Sequence, residues 1–198
     1  MASDVAQIRE AISQRKAPSS DFDLNARPVL APTRALTPAA VLVGIWERPN
    51  GLQLILTKRA SHLLHHPGQI ALPGGKIAPT DTGVEAAALR EAMEEIALQP
   101  ISVEILGQLS VHETVTGFEI TPVVGLIKGD FDPVPETGEV EEVFVVPLHH
   151  VLNQAHYRIE HRLWRGELRS YYTVPYGPYY IWGATARILR GFAESLSR

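Results

Sequence analysis

Apolar positions along this chain fall either in short unbroken runs or at helical spacings, and the contrast divides it into elements. Val5, Ile8 and Ile12 lie near a helical period, which predicts a short surface helix over 5–13. Residues 17–38 are rich in Pro, Ser and Asp and read as an extended arm. The unbroken run 40–46 predicts a buried strand, and Arg48-Pro49-Asn50-Gly51 turns it into a second strand over 52–58. Between His62 and Thr80, three prolines, three glycines and three histidines predict a structured loop, with one short strand near 69–72. The clearest helical pattern runs over 84–96. Strands follow at 103–111 and 119–127, joined across Thr116-Gly117, then a Pro/Gly/Asp loop over 128–138 and a strand at 143–146. A short helix over 148–153, a hairpin over 158–174 turning at Arg165-Gly166, and an amphipathic helix over 184–196 complete the chain. Strands and helices mix without a regular βαβ rhythm, so the fold class is α+β rather than a doubly wound sheet.

The helix over 84–96 carries the chemistry. Leu89, Ala92, Met93 and Ile96 fall at i, i+3, i+4 and i+7 and predict its buried stripe. Thr82 with Glu85 three residues on has the pattern of a capping box. Glu91, Glu94 and Glu95 then sit side by side on the opposite arc, where each like-charge pair costs about 0.2–0.5 kcal/mol. From Asp81 to Gln99 there are five acids and one base, Arg90, so neighbouring lysines do not relieve the repulsion. A hard divalent cation, Mg²⁺ or Mn²⁺, would relieve it through the carboxylate oxygens. A solvated helix face is the other reading of three acids. Gly74-Gly75 just upstream brings bare backbone near the carboxylates, where a phosphate or metal can approach, although two glycines also simply make a turn.

Composition narrows the classes. The 198 residues suffice for one substantial domain, here 38–198, with 1–37 as an N-terminal helix and arm packed outside it. Hydrophobic content of 45% and charged content of 20% are ordinary for a globular protein. A net charge of -4 argues against a nucleic-acid partner. The chain has no cysteine, which excludes disulfides, thiolate nucleophiles and Cys-ligated zinc. No apolar run is long enough to span a bilayer, and residues 1–10 lack an apolar signal core. The expectation is a cytoplasmic protein without a membrane partner.

Taken together, Gly75, Asp81, Arg90-Glu91, Glu94-Glu95 and Leu98 resemble the Nudix box: a glycine, an acid, then Arg-Glu and Glu-Glu on one helix. Three positions depart from it. Eight residues rather than seven separate Asp81 from Arg90, Asp81 replaces Glu, and Ala97 stands where glycine is usual. The longer gap is similar to the coenzyme A pyrophosphatase branch. So is the upstream stretch, in which Arg59, His66, Gly68 and Gln69 match and lead to Leu72-Pro73-Gly74-Gly75. Ala60, Leu64 and Leu72 depart from that branch's Ser, Arg and Phe, and Ala78 from an acid. Val115-Thr116-Gly117-Phe118, Thr121-Pro122-Val123-Val124-Gly125 and Tyr180-Ile181-Trp182-Gly183-Ala184-Thr185 extend the likeness over roughly residues 38–195.

The resemblance implies an α/β/α sandwich with a mixed central sheet. It also implies metal-assisted hydrolysis of a small-molecule diphosphate, with coenzyme A giving 3′,5′-ADP and 4′-phosphopantetheine. Glu91 and Glu95 are expected as the principal metal ligands, with Glu94 and the Gly75 carbonyl adding to them. Glu94 is otherwise expected to orient the nucleophile, and Arg90 to hold the carboxylates by charge-assisted bonds. Arg59 and Lys58, with the Gly74-Gly75 backbone, are the expected substrate contacts, Arg59 through its planar fork. The water's proton acceptor stays open among Glu94, Glu113, Glu119, Glu139 and Glu142. His65 and His66 either contact phosphate or order their loop. Tyr171, Tyr172, Tyr176, Tyr179 and Tyr180 either stack a base or serve core and homodimer packing. Hydrolysis of ADP-ribose or a dinucleotide, and a catalytically silent ligand sensor, are the competing readings.

Overall fold

The computed structural model describes residues 2–14, 17–25, 35–164 and 166–196; Arg165 of the expected hairpin turn lies outside them. In chain order the elements are α1 (Ala2–Ser13), β1 (Ser19–Ser20), β2 (Thr37–Arg48), β3 (Gly51–Arg59), β4 (Ile70–Ala71), β5 (Gly74–Lys76) and α2 (Val84–Ile96). There follow β6 (Val103–Gln108), β7 (His112–Glu113), β8 (Phe118–Ile127), β9 (Val140–Pro147), α3 (Leu148–Leu152), β10 (Arg158–Trp164), β11 (Glu167–Thr173) and α4 (Gly183–Leu196).

β2 is the axis of a mixed sheet. It runs parallel to β8 on one side. On the other it pairs antiparallel with β3 near its end and with β5 near its start. β9 and β4 extend the sheet beyond β3, while β6 and β7 extend it beyond β8. Buried on both faces, the β2 interior reads as a continuous apolar run rather than an alternation. Ala40, Leu42, Ile55, Val123 and Ile127 turn one face toward Ala87, Ala88, Ala92 and Ile96 of α2. Val43, Ile45, Leu54, Leu56 and Val124 turn the other toward Ile8 and Ile12 of α1, Leu148 and Val151 of α3, and Ile188, Leu189 and Phe192 of α4. One helix against three across a mixed sheet is the expected α/β/α sandwich. No helix among the described residues is long and apolar enough to cross a membrane.

Several local expectations are corrected. α1 lies on the surface but is not peripheral, because Ile8 and Ile12 enter the main core. Part of the expected arm is ordered: β1 adds a strand parallel to β7, Phe22 is buried, and the Asn25 side chain donates to the Ser170 carbonyl at 2.9 Å and accepts from its N–H at 2.7 Å. The buried His112 is hydrogen-bonded with Ser19 (2.9 Å) and Asp21 (3.2 Å), fixing this strap to the sheet edge. The buried stripe of α2 is rotated from the expected one. Ala87, Ala88, Ala92, Glu95 and Ile96 face the sheet, whereas Leu89 is half-buried and Met93 is 48% exposed. Three alanines let the helix approach closely, which draws the Glu95 edge inward. The capping box does not form: Gly83 is the N-cap without a side-chain bond, and Glu85 accepts from Gln108 at 3.2 Å. At the other end Ala97 adopts the left-handed conformation (φ 60°), and its N–H returns to the Ala92 and Met93 carbonyls.

Candidate active site

The β5 strand and α2 build the site together. Gly74 pairs with Val41 and Gly75 with Ala40 on β2, which brings bare backbone under the helix. A side chain at Gly74 would meet backbone, and one at Gly75 would have to displace the Glu91 carboxylate. A Cβ on Gly74 would lie 2.4 Å from the Ala40 carbonyl oxygen, and one on Gly75 would lie 2.5 Å from Glu91 Oε1. The Gly74 N–H donates to Glu95 Oε2 at 3.3 Å. Glu95 is only 6% exposed. Burial pushes its carboxyl up to about 8, the Glu91 and Glu139 charges add to the rise, and the Gly74 N–H and the Arg59 charge oppose it. Burial also raises Glu91, against the pull of Arg90.

Arg90 organises the rim. Its Nε and Nη2 donate to the two Asp81 oxygens at 2.9 and 3.0 Å, a fork-to-fork pair. The same guanidinium donates to Glu94 Oε2 at 2.8 Å and to the Lys76 carbonyl at 3.1 Å, and it lies 3.1 Å from Glu91 Oε1. Asp81 also accepts from the Ala78 N–H at 2.7 Å. Together these contacts hold the Asp81 carboxyl below its ordinary value, the Arg90 bond being the larger cause. Asp81 thus reaches Arg90 despite the longer gap, because a turn from Ala78 to Asp81 precedes the helix. Sequence reasoning gave Asp81 a place in the motif but missed this anchoring role. The pair joins residues nine apart, one in the loop and one in the helix, a spacing that no helical or strand period marks.

The three acids of α2 are therefore not one solvated arc. Glu95 faces the sheet, Glu91 packs on Gly75, and Glu94 is 58% exposed, held by Arg90 yet near enough to raise Glu91. Among the described residues, no three His, Cys, Asp or Glu side chains form a closed ligand set. Two carboxylates against bare glycine backbone instead fit an ion that keeps several waters, as Mg²⁺ does. A divalent cation would also offset the burial and like charge that raise Glu95 and Glu91.

The other expected residues are distributed around this centre. Arg59 ends β3, its charge acts on Glu95, and its buried Nε has no hydrogen-bond partner among the described residues. The loop after it closes on its backbone, with Gly68 donating to the Arg59 carbonyl and Arg59 to the Gln69 carbonyl. Lys58 is instead bonded to Glu141 at 2.6 Å. Of the five candidate bases, Glu139 acts electrostatically on both Glu91 and Glu95, and Glu94 on Glu91. Glu142 accepts from the Tyr179 hydroxyl at 2.5 Å, and Glu113 and Glu119 are cross-strand neighbours on β7 and β8. His65 and His66 are exposed, and His66 adopts a positive φ within the loop. Tyr172, Tyr176 and Tyr179 pack against the core, Tyr171 packs on Trp182, and Tyr180 bonds Glu160. A cavity of about 560 Å³ lies elsewhere, among α1, α3, α4 and the β2–β3 turn.

A mixed-sheet sandwich presenting buried helix carboxylates to a glycine strand defines a hydrolase scaffold of one recognisable class. Residues 36–165 match the model described as the NUDIX domain, and the chain belongs to the Nudix hydrolase family, whose members cut diphosphate bonds. It is similar to the uncharacterized Nudix hydrolase NudL of Escherichia fergusonii, 44% identical over 155 residues that cover 78% of this chain and 80% of that protein. The NudL of Shigella boydii is 43% identical over the same shares. Among solved structures, the Nudix hydrolase RenU of M. smegmatis is 26% identical with a TM-score of 0.50, covering 58% of this chain and 73% of that one. The family match leaves α1, the strap, β11 and α4 outside it.

Proposed function

We propose that this protein is a Mg²⁺- or Mn²⁺-dependent diphosphohydrolase of coenzyme A or its acyl derivatives, releasing 3′,5′-ADP and 4′-(acyl)phosphopantetheine. The observation that carries the reading is the convergence of Arg59 and the Gly74-Gly75 backbone on the Glu91–Glu95 pair. These residues belong to the two stretches, upstream and within the box, that resemble the coenzyme A branch. Glu91 and Glu95, with the Gly75 carbonyl, would hold the ion. When bound, that ion neutralises phosphate charge and activates a water for attack on phosphorus. Arg90 keeps the carboxylates in place from the rim. Arg59 offers its fork to a phosphate oxygen, and Lys58 exchanges Glu141 for phosphate on contact with substrate. Glu94 and Glu139 are the acids positioned to take the water's proton.

The test is coenzyme A hydrolysis by the purified protein with Mg²⁺ or Mn²⁺, products resolved by chromatography. Wild-type protein yields 3′,5′-ADP; Glu95→Gln lowers the rate by at least about 100-fold, and chelation with EDTA abolishes it. If ADP-ribose or a dinucleotide is cut while coenzyme A stays whole, the substrate assignment is wrong and the diphosphatase survives. A protein that binds such compounds and cuts none is a sensor.

A further inference from the structure

The β10–β11 hairpin forms a two-stranded sheet of its own, apart from the main one. Such a ribbon is marginal in water unless something supports it. The β11 side is supported: Ser170 exchanges two bonds with Asn25, Thr173 bridges to Trp182, and Tyr172 packs against the core. The outer edge of β10 pairs with no strand among the described residues. Along it Ile159 is 50% exposed and Leu163 70%, and Leu168, opposite Leu163 on β11, is 68% exposed. An open edge flanked by large exposed apolar side chains invites another strand.

The order of residues on β10 states which strand fits. Around His161 the chain reads Ile159, Glu160, His161, Arg162, Leu163. Place a two-fold axis at His161 and lay a second copy antiparallel along the edge. Ile159 then stands opposite Leu163 and Glu160 opposite Arg162, each pair occurring twice. Cross-strand neighbours share a face, so the apolar pairs fall on one side of the ribbon and the ion pairs on the other. Leu168 and Leu163 of one copy would continue into Ile159 and Tyr172 of the second as one apolar row. Moving the axis to Glu160 sets Glu160 against Glu160 and Arg158 against Arg162. Moving it to Arg162 sets Arg162 against itself. The charges thus repel at neighbouring registers and attract at this one. Glu160 accepts from Tyr180 at 2.6 Å through Oε2, which leaves its other oxygen for an arginine.

We infer that β10 is a homodimer interface, in which two copies join edge to edge into a four-stranded β11–β10–β10–β11 ribbon. The contact is isologous and closes on itself, so it ends at two chains. It involves none of the α2 carboxylates, so it stands whatever the substrate.

Sedimentation velocity of the full chain over a wide concentration range tests the proposal. Wild-type protein shifts from one chain to two as concentration rises. Glu160→Arg and Arg162→Glu each convert both ion pairs into like-charge contacts and weaken the dimer by about tenfold or more. The double swap, Glu160→Arg with Arg162→Glu, restores the pairs and the dimer. A loss of folding alone would not be reversed by adding a second charge change. As an independent check, the chain has no cysteine, so an oxidised His161→Cys protein can link only to its mate. Directly opposed antiparallel residues lie about 4.5–5.5 Å apart, within disulfide reach. A covalent dimer is expected. A wild type that stays monomeric, single reversals that dimerise like wild type, a double swap that stays monomeric, or assemblies growing beyond two chains would each overturn the inference.

Discussion

A methyl group at Gly75 would meet the Glu91 carboxylate at 2.5 Å, and the clash is with the free end of a side chain rather than with backbone. The fold can therefore absorb Gly75→Ala by displacing Glu91, and the cost falls on chemistry. Steady-state kinetics of Gly75→Ala should show the rate down by about 100-fold, since a displacement near 1 Å at a reacting centre costs that much, with thermal unfolding little changed. A wild-type rate would make Gly75 a turn residue only. Glu91 and Glu95 were legible as a pair only through the resemblance to the Nudix box, since spacing alone set all three acids on one arc. Their unequal burial was not, because it depends on how closely the alanine face lets α2 approach the sheet. The Lys58–Glu141 pair was hidden for a similar reason: Glu141 comes from a strand far along the chain.

At the level of the element, α2 is tied to the loop before it by the Asp81–Arg90 pair. The folded state depresses the Asp81 carboxyl, so it binds that proton less tightly than the unfolded chain does. The resulting stabilisation is complete above the unfolded value of about 3.9 and is lost as pH falls through the lower folded value. Urea unfolding of wild type and Asp81→Asn should therefore differ at neutral pH and converge in strong acid. A constant difference across that range would remove Asp81 as the acid-sensitive anchor. The boundaries of α2 were readable from periodicity, while its cap was not. Thr82 and Glu85 have the spacing of a box, yet Gly83 takes the N-cap position and Gln108 engages Glu85.

For the molecule as a whole, the buried central strand was legible in its unbroken apolar run, and the sheet covered on both faces through the resemblance to the Nudix family. The strap was not. Its hold comes from polar contacts between residues far apart in sequence, such as Asn25 with Ser170 and His112 with Asp21, and these leave no periodic trace. Asn25 supports the sheet edge and the hairpin at once, donating to the Asp21 and Ser170 carbonyls and accepting from the Ser170 N–H. Asn25→Ala should lower global stability by about 1–3 kcal/mol by denaturant titration, because those backbone groups lose their partner. The diphosphatase rate below the unfolding transition should stay at the wild-type level. A neutral substitution would mean the strap only lies on the surface.

Ala97 holds a left-handed cap that favours glycine. Alanine pays roughly 1–2 kcal/mol for that conformation, partly offset by the greater freedom glycine has when unfolded. An alanine codon lies one nucleotide change from a glycine codon. The chain thus keeps an unspent margin of robustness at the C-terminal end of α2. A costly change among the carboxylates of that helix can be compensated by one mutation that touches none of them.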